Sequence, residues 1–245
     1  MRTLIHGILV TLCLLLAVSN ALADKEVVIT RIEGLAVQEP GPEILRQDCQ
    51  VGNLNTPVWA INDWILGNEG YKLVFDPMAT CDCPLGFHLQ TVHMLMNFGA
   101  EDVPATFDVY ADLEEAVFDE VSGCWLPGAE VCASPVYSVT IETAGLYDIS
   151  LPIGDTCECA DMRYIYLLSY HFMTAFPAGM EPDAVSDDIP TSCISYNDFG
   201  SGWLDLVTDF GWPGNIIMYA DADCCEFPVS DEGSTWGGVK NLYRR

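Results

Sequence analysis

Two short cysteine motifs are the residues whose type and spacing most directly suggest chemistry. Cys81-Asp82-Cys83 and Cys157-Glu158-Cys159 each follow a Thr and each precede an apolar, aromatic-rich run, "PLGFHLQTVHMLMNF" and "ADMRYIYLLSYHF". Four thiolates could hold a zinc ion, but structural zinc motifs space their cysteines two to four residues apart. A redox centre wants C-x-x-C at a helix start beside a βαβ unit, and the sequence offers neither. Cysteines at i and i+2 of an extended chain point to one face, so each can reach a different partner, while the ring between them is too tight for a relaxed bridge. The residue pattern therefore favours disulfide anchors over a metal claw.

The remaining cysteines fit that reading. The chain begins "MRTLIHGILVTLCLLLAVSNALA", a charged start, an apolar core too short for a bilayer span and an A-x-A site, which predicts a signal peptide over 1–23. Its removal leaves 222 residues and takes Cys13 with it, so ten cysteines remain: Cys49, Cys81, Cys83, Cys124, Cys132, Cys157, Cys159, Cys193, Cys224 and Cys225. An even count in an exported chain predicts a disulfide framework. The one pairing the spacing suggests is Cys124–Cys132 across the Pro-Gly of "WLPGAEV"; the C-x-C members are expected to bond distant loops. The expected location is secreted or at the cell surface.

Other candidate chemistry is thinner. His88, His93 and His171 all lie in strand-like runs, where a hydrogen-bonded histidine is the ordinary finding. Neither G-x-S-x-G nor H-E-x-x-H occurs, so no catalytic residue is assigned. The stretch "SYNDFGSGWLDLVTDFGWPGN" concentrates Tyr196, Asn197, Asp198, Trp203 and Trp212 near turns. Aromatic faces stack on sugar rings, and amides and carboxylates bind hydroxyls, which makes these the candidate ligand-binding residues. The same tryptophans could instead plug the ends of a core. With 36 Asp and Glu against nine Lys and Arg, the net charge of −27 disfavours nucleic acid and anionic membranes and attracts cations. Calcium is the candidate cation, with Glu181, Asp183, Asp187 and Asp188 in one loop and Asp221 and Asp223 on one strand face, although neither group has an EF-hand pattern. No cofactor is required by the sequence. The bland reading of the charge is solubility.

The elements that must position these residues are strands. Runs at 25–32, 71–77, 86–98, 105–112, 135–141, 147–153, 163–173, 203–207 and 214–222 are β-branched or aromatic, with Gly, Pro and Asp punctuation between them. Along 86–98 the alternation slips by one near Thr91, which predicts a β-bulge. The 163–173 run is apolar on both parities, as a central strand covered on both faces would be. "DLEEAVFDEV" (112–121) is the best helix candidate, and Trp59 with Trp64 is expected to cap an open core end. The expected fold is an all-β, disulfide-stapled antiparallel β-sandwich of jelly-roll type over 24–230, followed by a flexible tail at 231–245.

"PVWAINDWILGNEGYKLVFDP", "CDCPLGFHLQTVHMLMNF", "TFDVYADLEEA" and "SYNDFGSGWLDLVTDFGWPGNIIMYADADCC" together resemble a group of uncharacterised exported bacterial proteins. In those a cysteine-rich jelly-roll-like domain follows a signal peptide. The resemblance covers about 25 to 225 and implies the fold without an activity; "STWGGVKNLYRR" resembles the short tails that some of these proteins bear. The function expected is a non-catalytic binding module, with a glycan or a surface protein as candidate partner and no membrane insertion. The alternatives are a structural subunit of an extracellular layer or appendage and, with least support, a secreted hydrolase.

Overall fold

The computed structural model describes residues 29–31, 49–153, 157–200 and 202–225. The expected signal peptide, Cys13 and the 231–245 tail lie outside the described residues. The described chain is all-β, with two antiparallel sheets and a single 3-10 turn at Pro77–Ala79. None of its helices is long and apolar enough to cross a membrane.

The strands are β1 (Ile29–Arg31), β2 (Cys49–Gly52), β3 (Trp59–Ile61), β4 (Glu69–Phe75), β5 (Phe87–Phe98), β6 (Ala105–Asp119) and β7 (Cys124–Ala133). After them come β8 (Tyr137–Ile141), β9 (Gly145–Pro152), β10 (Tyr166–Phe172), β11 (Asp183–Ser186), β12 (Ser195–Asp198), β13 (Leu204–Asp205) and β14 (Met218–Cys224). One sheet has the order β1-β3-β11-β5-β14-β2 with β9 on the other side of β5. The second has the order β13-β12-β4-β10-β6-β7, with β8 also pairing β6. The chain switches sheets repeatedly, as from β4 to β5 and back to β6, in the manner of a jelly roll.

Period-two alternation builds the core between them. Phe107, Val109, Ala111 and Leu113 of β6 point inward, as do Tyr166, Leu168, Tyr170 and Phe172 of β10, and all are at most 2 % exposed. Aromatic contacts cross the sandwich: Phe87 of β5 meets Phe75 of β4 and Tyr166 of β10, with ring centroids 6.3 and 5.5 Å apart. The slip along β5 is a bulge: Asp221 of β14 pairs Thr91, whereas Ala222 pairs Leu89, leaving Gln90 as the extra residue. As its two-faced apolarity predicts, β10 is central, between β4 and β6. Trp64 fills one end of the core against Phe210 and Trp212, while Trp59 lies half-buried on β3.

Two expectations are corrected. Residues 112–119 are the second half of β6, not a helix. Their inward Leu113 and outward Asp112 and Glu114 serve sheet packing, paired with β7 across a hairpin and with β10, which is remote in sequence. Cys124 does not bond Cys132, because the two stand at opposite ends of β7, about 26 Å apart at strand rise. The Pro127-Gly128 step is a bulged part of β7 rather than a turn. A Cβ on Gly128 would sit 2.3 Å from the Glu115 carbonyl oxygen, so the close approach demands glycine.

The five disulfides are Cys49–Cys81, Cys83–Cys224, Cys124–Cys193, Cys132–Cys157 and Cys159–Cys225. Each C-x-C member takes a different, distant partner, as the i, i+2 geometry predicts. Those partners lie mostly on strands rather than in loops. Cys224 and Cys225, at the end of β14, each take one sulfur from a different C-x-C motif, so the two motifs are fastened at the same corner.

Candidate functional site

The outward face of the second sheet carries an ordered polar grid. Strand register sets Asp198, Gly70, His171 and Tyr110 in one row across β12, β4, β10 and β6. The next row is Tyr196, Lys72, Ser169 and Asp112. The strands need only their apolar parity for the core, which leaves this parity free to carry polar groups.

One loop covers the grid with a tryptophan. After β12, Asp198 Oδ1 accepts hydrogen bonds from the backbone N–H of Gly200 (2.7 Å) and Gly202 (3.0 Å). Both glycines are in the left-handed region, with φ of 92° and 103°, so the chain turns sharply back. That turn lays Trp203 over Gly70, where a Cβ would fall 2.9 Å from the indole Cη2 and 3.0 Å from His171 Nδ1. The Lys72 ammonium stands 4.4 Å from the centre of the indole ring and is itself ion-paired with Glu114. His171 meets Trp203 edge-on at 6.5 Å, stacks on Tyr110 at 4.5 Å, and holds Nε2 2.7 Å from Asp112 Oδ2.

The result is an open cleft of about 370 Å³, lined chiefly by Asn68, Tyr110, His171, Met173, Asp198 and Trp203. Burial alone would push the Asp112 carboxyl up. Hydrogen bonds with His171 and Ser169, and the charges of His171 and Lys72, outweigh it and hold the group below the ordinary carboxylate range. Burial raises the Tyr110 phenol, and Asp112, Glu130 and Glu114 add to the rise. Such a floor presents fixed charges and dipoles beneath one half-exposed indole. The cleft lining combines amide, carboxylate, imidazole and phenol groups with the indole.

Of the five candidate ligand residues, Trp203 and Asp198 line this cleft. Trp212, a candidate ligand residue that could equally plug the end of a core, is a core plug, 2 % exposed and edge-on to Trp64 at 5.2 Å. Asn197 is fully buried and donates to the Gly70 carbonyl, while Tyr196 packs with Val74 and Leu167. They support the cleft from below and beside it. Tyr110, Asn68 and Met173 escaped the sequence reading, and His171 was read there only as a hydrogen-bonded strand histidine. The available signal was the shared outward parity of Tyr110 with Asp112 and of His171 with Ser169.

The candidate calcium ligands do not assemble into one group. Asp187 is 1 % exposed and already accepts four donors: Asn53 and Asn55 Nδ2 on Oδ2, and the N–H of Ile189 and Asn215 on Oδ1. A cation there would have to displace them. Asp188 is exposed, Asp223 is half-buried on β14, and Asp221 accepts from Gln50 and lies 3.2 Å from His93 Nε2. Asp183 accepts from Asn97 Nδ2 and the Asp63 N–H. Among the described residues, one trio of His, Cys, Asp and Glu has its ligand atoms within 4.8 Å of one another: His88, Cys159 and Cys225. Two of those sulfurs are spent in a disulfide.

A second polar cluster lies on the outward face of the first sheet, beside a cleft of about 290 Å³. His93 is held between Asp148 (Nδ1, 3.1 Å) and Asp221 (Nε2, 3.2 Å), and stacks on Tyr219 at 4.4 Å. Ser150 Oγ is also 3.1 Å from Nδ1. Ser and Asp therefore share one ring nitrogen, whereas a Ser-His-Asp relay needs them on opposite nitrogens. This cluster does not have the geometry of such a relay.

Among known proteins, no curated sequence matches the chain. A solved structure of the cysteine protease and lectin-like domains of Cwp84, a surface layer associated protein of Clostridium difficile, is similar with a TM-score of 0.47 and 14 % identity. The match covers 73 % of this chain and 36 % of that one, so this chain spans about a third of that length. A family model described as a domain of unknown function, DUF7451, matches residues 66–222, well over half the chain, and the chain therefore belongs to the DUF7451 family.

Proposed function

We propose that the protein is a non-catalytic extracellular binding module that holds an uncharged, hydroxyl-rich ligand, a saccharide, in the Trp203 cleft. The observation that carries this is the fixed indole. Trp203 is clamped by Lys72, Gly70 and His171 with part of its surface on the cleft, so little side-chain freedom is lost when a sugar ring packs on it. Asn68, Asp198 and Tyr110 line the same cleft and bring amide, carboxylate and phenol groups that suit sugar hydroxyls. A net charge of −27 works against phosphorylated, sulfated or uronic ligands. Five disulfides fit an oxidising compartment.

A glycan array followed by calorimetry tests the reading. Trp203→Ala is expected to weaken a neutral saccharide hit roughly tenfold or more, about 1.4 kcal/mol. Trp212→Phe, acting in the core, leaves the affinity within about twofold. A hit that survives Trp203→Ala unchanged, or an array with no neutral glycan bound, sinks the proposal.

A second reading, a structural subunit of an extracellular layer, draws on one feature. Beyond Ala116, β6 and β7 run on as a two-stranded hairpin with no β10 partner, and its tip exposes Val117, Phe118 and Val121. If the tip seats on a second copy of the chain, sedimentation velocity shows concentration-dependent oligomers that Val121→Asp abolishes. A monomer across the accessible range removes this reading.

A further inference from the structure

One end of the sandwich gathers carboxylates from three loops. Asp63 comes from the β3–β4 loop, Glu101 and Asp102 from the β5–β6 loop, and Glu181 from the β10–β11 loop, with Asp183 at the start of β11. The loops are joined directly, since the Asp63 N–H donates to Asp183 Oδ1 at 3.0 Å. Asn97, at the end of β5, donates to Asp183 Oδ2 at 2.7 Å. The charges feel one another. Burial first, then Glu101, Asp63 and Glu181, raise Asp102, and burial with Asp102 and Asp63 pushes Asp183 up to about 6 despite its hydrogen bonds.

Within residues 49–225 no protein cation answers this charge. The two side chains there with permanent positive charge, Lys72 and Arg163, are taken by Glu114 and Asp161 elsewhere. Asp102 carries the independent sign of a missing partner. It is 2 % exposed, its Oδ2 accepts from the Gly99 N–H, and its Oδ1 is buried with no hydrogen-bond donor. The Asn62 Oδ1, next in sequence to Asp63, is likewise buried and unpartnered. A buried carboxylate oxygen left without a partner in an acidic corner is costly unless something positive completes it.

We propose that this corner binds a divalent cation of the hard, oxygen-seeking class, Ca²⁺, with Asp102 as the inner carboxylate and Asp63, Glu181 and Asp183 closing around it. Loop-borne carboxylates and a neighbouring amide oxygen suit the flexible, six-to-eight-fold oxygen shell of Ca²⁺ better than the rigid octahedron of Mg²⁺. Three of these carboxylates do not yet meet within 4.8 Å of one another, the spread expected of like charges without a counter-ion. Closure therefore requires side-chain rotation, which places the affinity in the weak extracellular range, a Kd of about 10⁻⁴–10⁻³ M.

Thermal unfolding with and without 5 mM CaCl₂, at matched ionic strength, tests this. The wild-type protein is expected to gain about 3–5 °C in Ca²⁺ and visibly less in Mg²⁺. Asp102→Asn melts no lower than wild type without the metal, because it relieves repulsion, and it loses the Ca²⁺ gain. Glu181→Gln reduces the gain, and Glu120→Gln, on the exposed hairpin tip, retains it. An equal gain in Asp102→Asn, an equal gain from Mg²⁺ or NaCl, or no gain in the wild-type protein overturns the proposal. None of these readouts depends on the Trp203 cleft.

Discussion

Asp187→Ala is expected to destabilise the fold by about 3–4 kcal/mol, measured as a lower urea midpoint with an unchanged slope. The carboxylate is 1 % exposed and holds together three segments that lie far apart in sequence: the turn after β2, the loop after β11 and the approach to β14. Removing it leaves the Asn215 N–H buried without an acceptor, and deprives Asn53 Nδ2 of one of three acceptors, Asn215 and Ile216 carbonyls being the others. An unsatisfied buried donor costs about 1–3 kcal/mol, and the alanine also opens a void beside Gly214. Gly214 itself is there because a Cβ would lie 2.1 Å from the Asp187 carbonyl oxygen and 2.4 Å from its Oδ1. Asp187→Asn keeps one acceptor but turns an amide N–H₂ toward existing donors, so about half the loss remains. A destabilisation under about 1 kcal/mol for Asp187→Ala would show that water replaces the carboxylate and that the hub is dispensable.

Asp187 also shows where sequence reading stops. Its carboxylate count and loop position suggested calcium, yet its partners are donors from segments that no local pattern joins to it. The same limit applies to β7. "WLPGAEV" reads as a turn because Pro-Gly is turn chemistry, but the Glu115 carbonyl across the bulge is what calls for Gly128. Leu113, Ala116 and Val117 have helical spacing over about one turn, and pairing with Leu126 and Cys132 overrides it.

What depends on local alternation was legible: the sheets, the bulge at Gln90, the central β10 and the one-sulfur-per-partner logic of the C-x-C motifs. The cleft was half legible. Trp203 and Asp198 share one loop and were visible together. Tyr110 and His171 meet only through the register of β6 and β10, which alternation constrains by face but not by partner. Trp203 and Trp212 are alike in sequence and differ in fate. Two positive-φ glycines and a capping Asp198 turn one outward, whereas the other packs on Trp64.

His93 makes stability fall on the alkaline side of neutrality. Burial opposes the imidazolium, but hydrogen bonds to and the charges of Asp148 and Asp221 outweigh burial and push its pKa from 6.5 up to about 9. Because the folded value lies above the unfolded one, the contribution is fully present below about pH 6.5 and is lost as pH rises through about 9, with an integrated size of about 3 kcal/mol. On the acid side Asp221 acts in the opposite sense. Burial raises its carboxyl, the His93 and Gln50 hydrogen bonds outweigh that, and the depressed value yields stability that is lost as pH falls through it. The His93 contribution to the urea midpoint, read as the difference between wild type and His93→Gln, should therefore be flat from about pH 5 to 6.5 and decline steadily to pH 9.5. His93→Gln keeps one amide donor for one carboxylate and has no titrating ring, so it starts lower at pH 6 and lacks the alkaline decline. Asp148 and Asp221 then face each other without a cation between them, which is the larger part of the loss at pH 6. An alkaline slope that persists in His93→Gln would assign the dependence to another group and show that the imidazole is neutral in its buried seat.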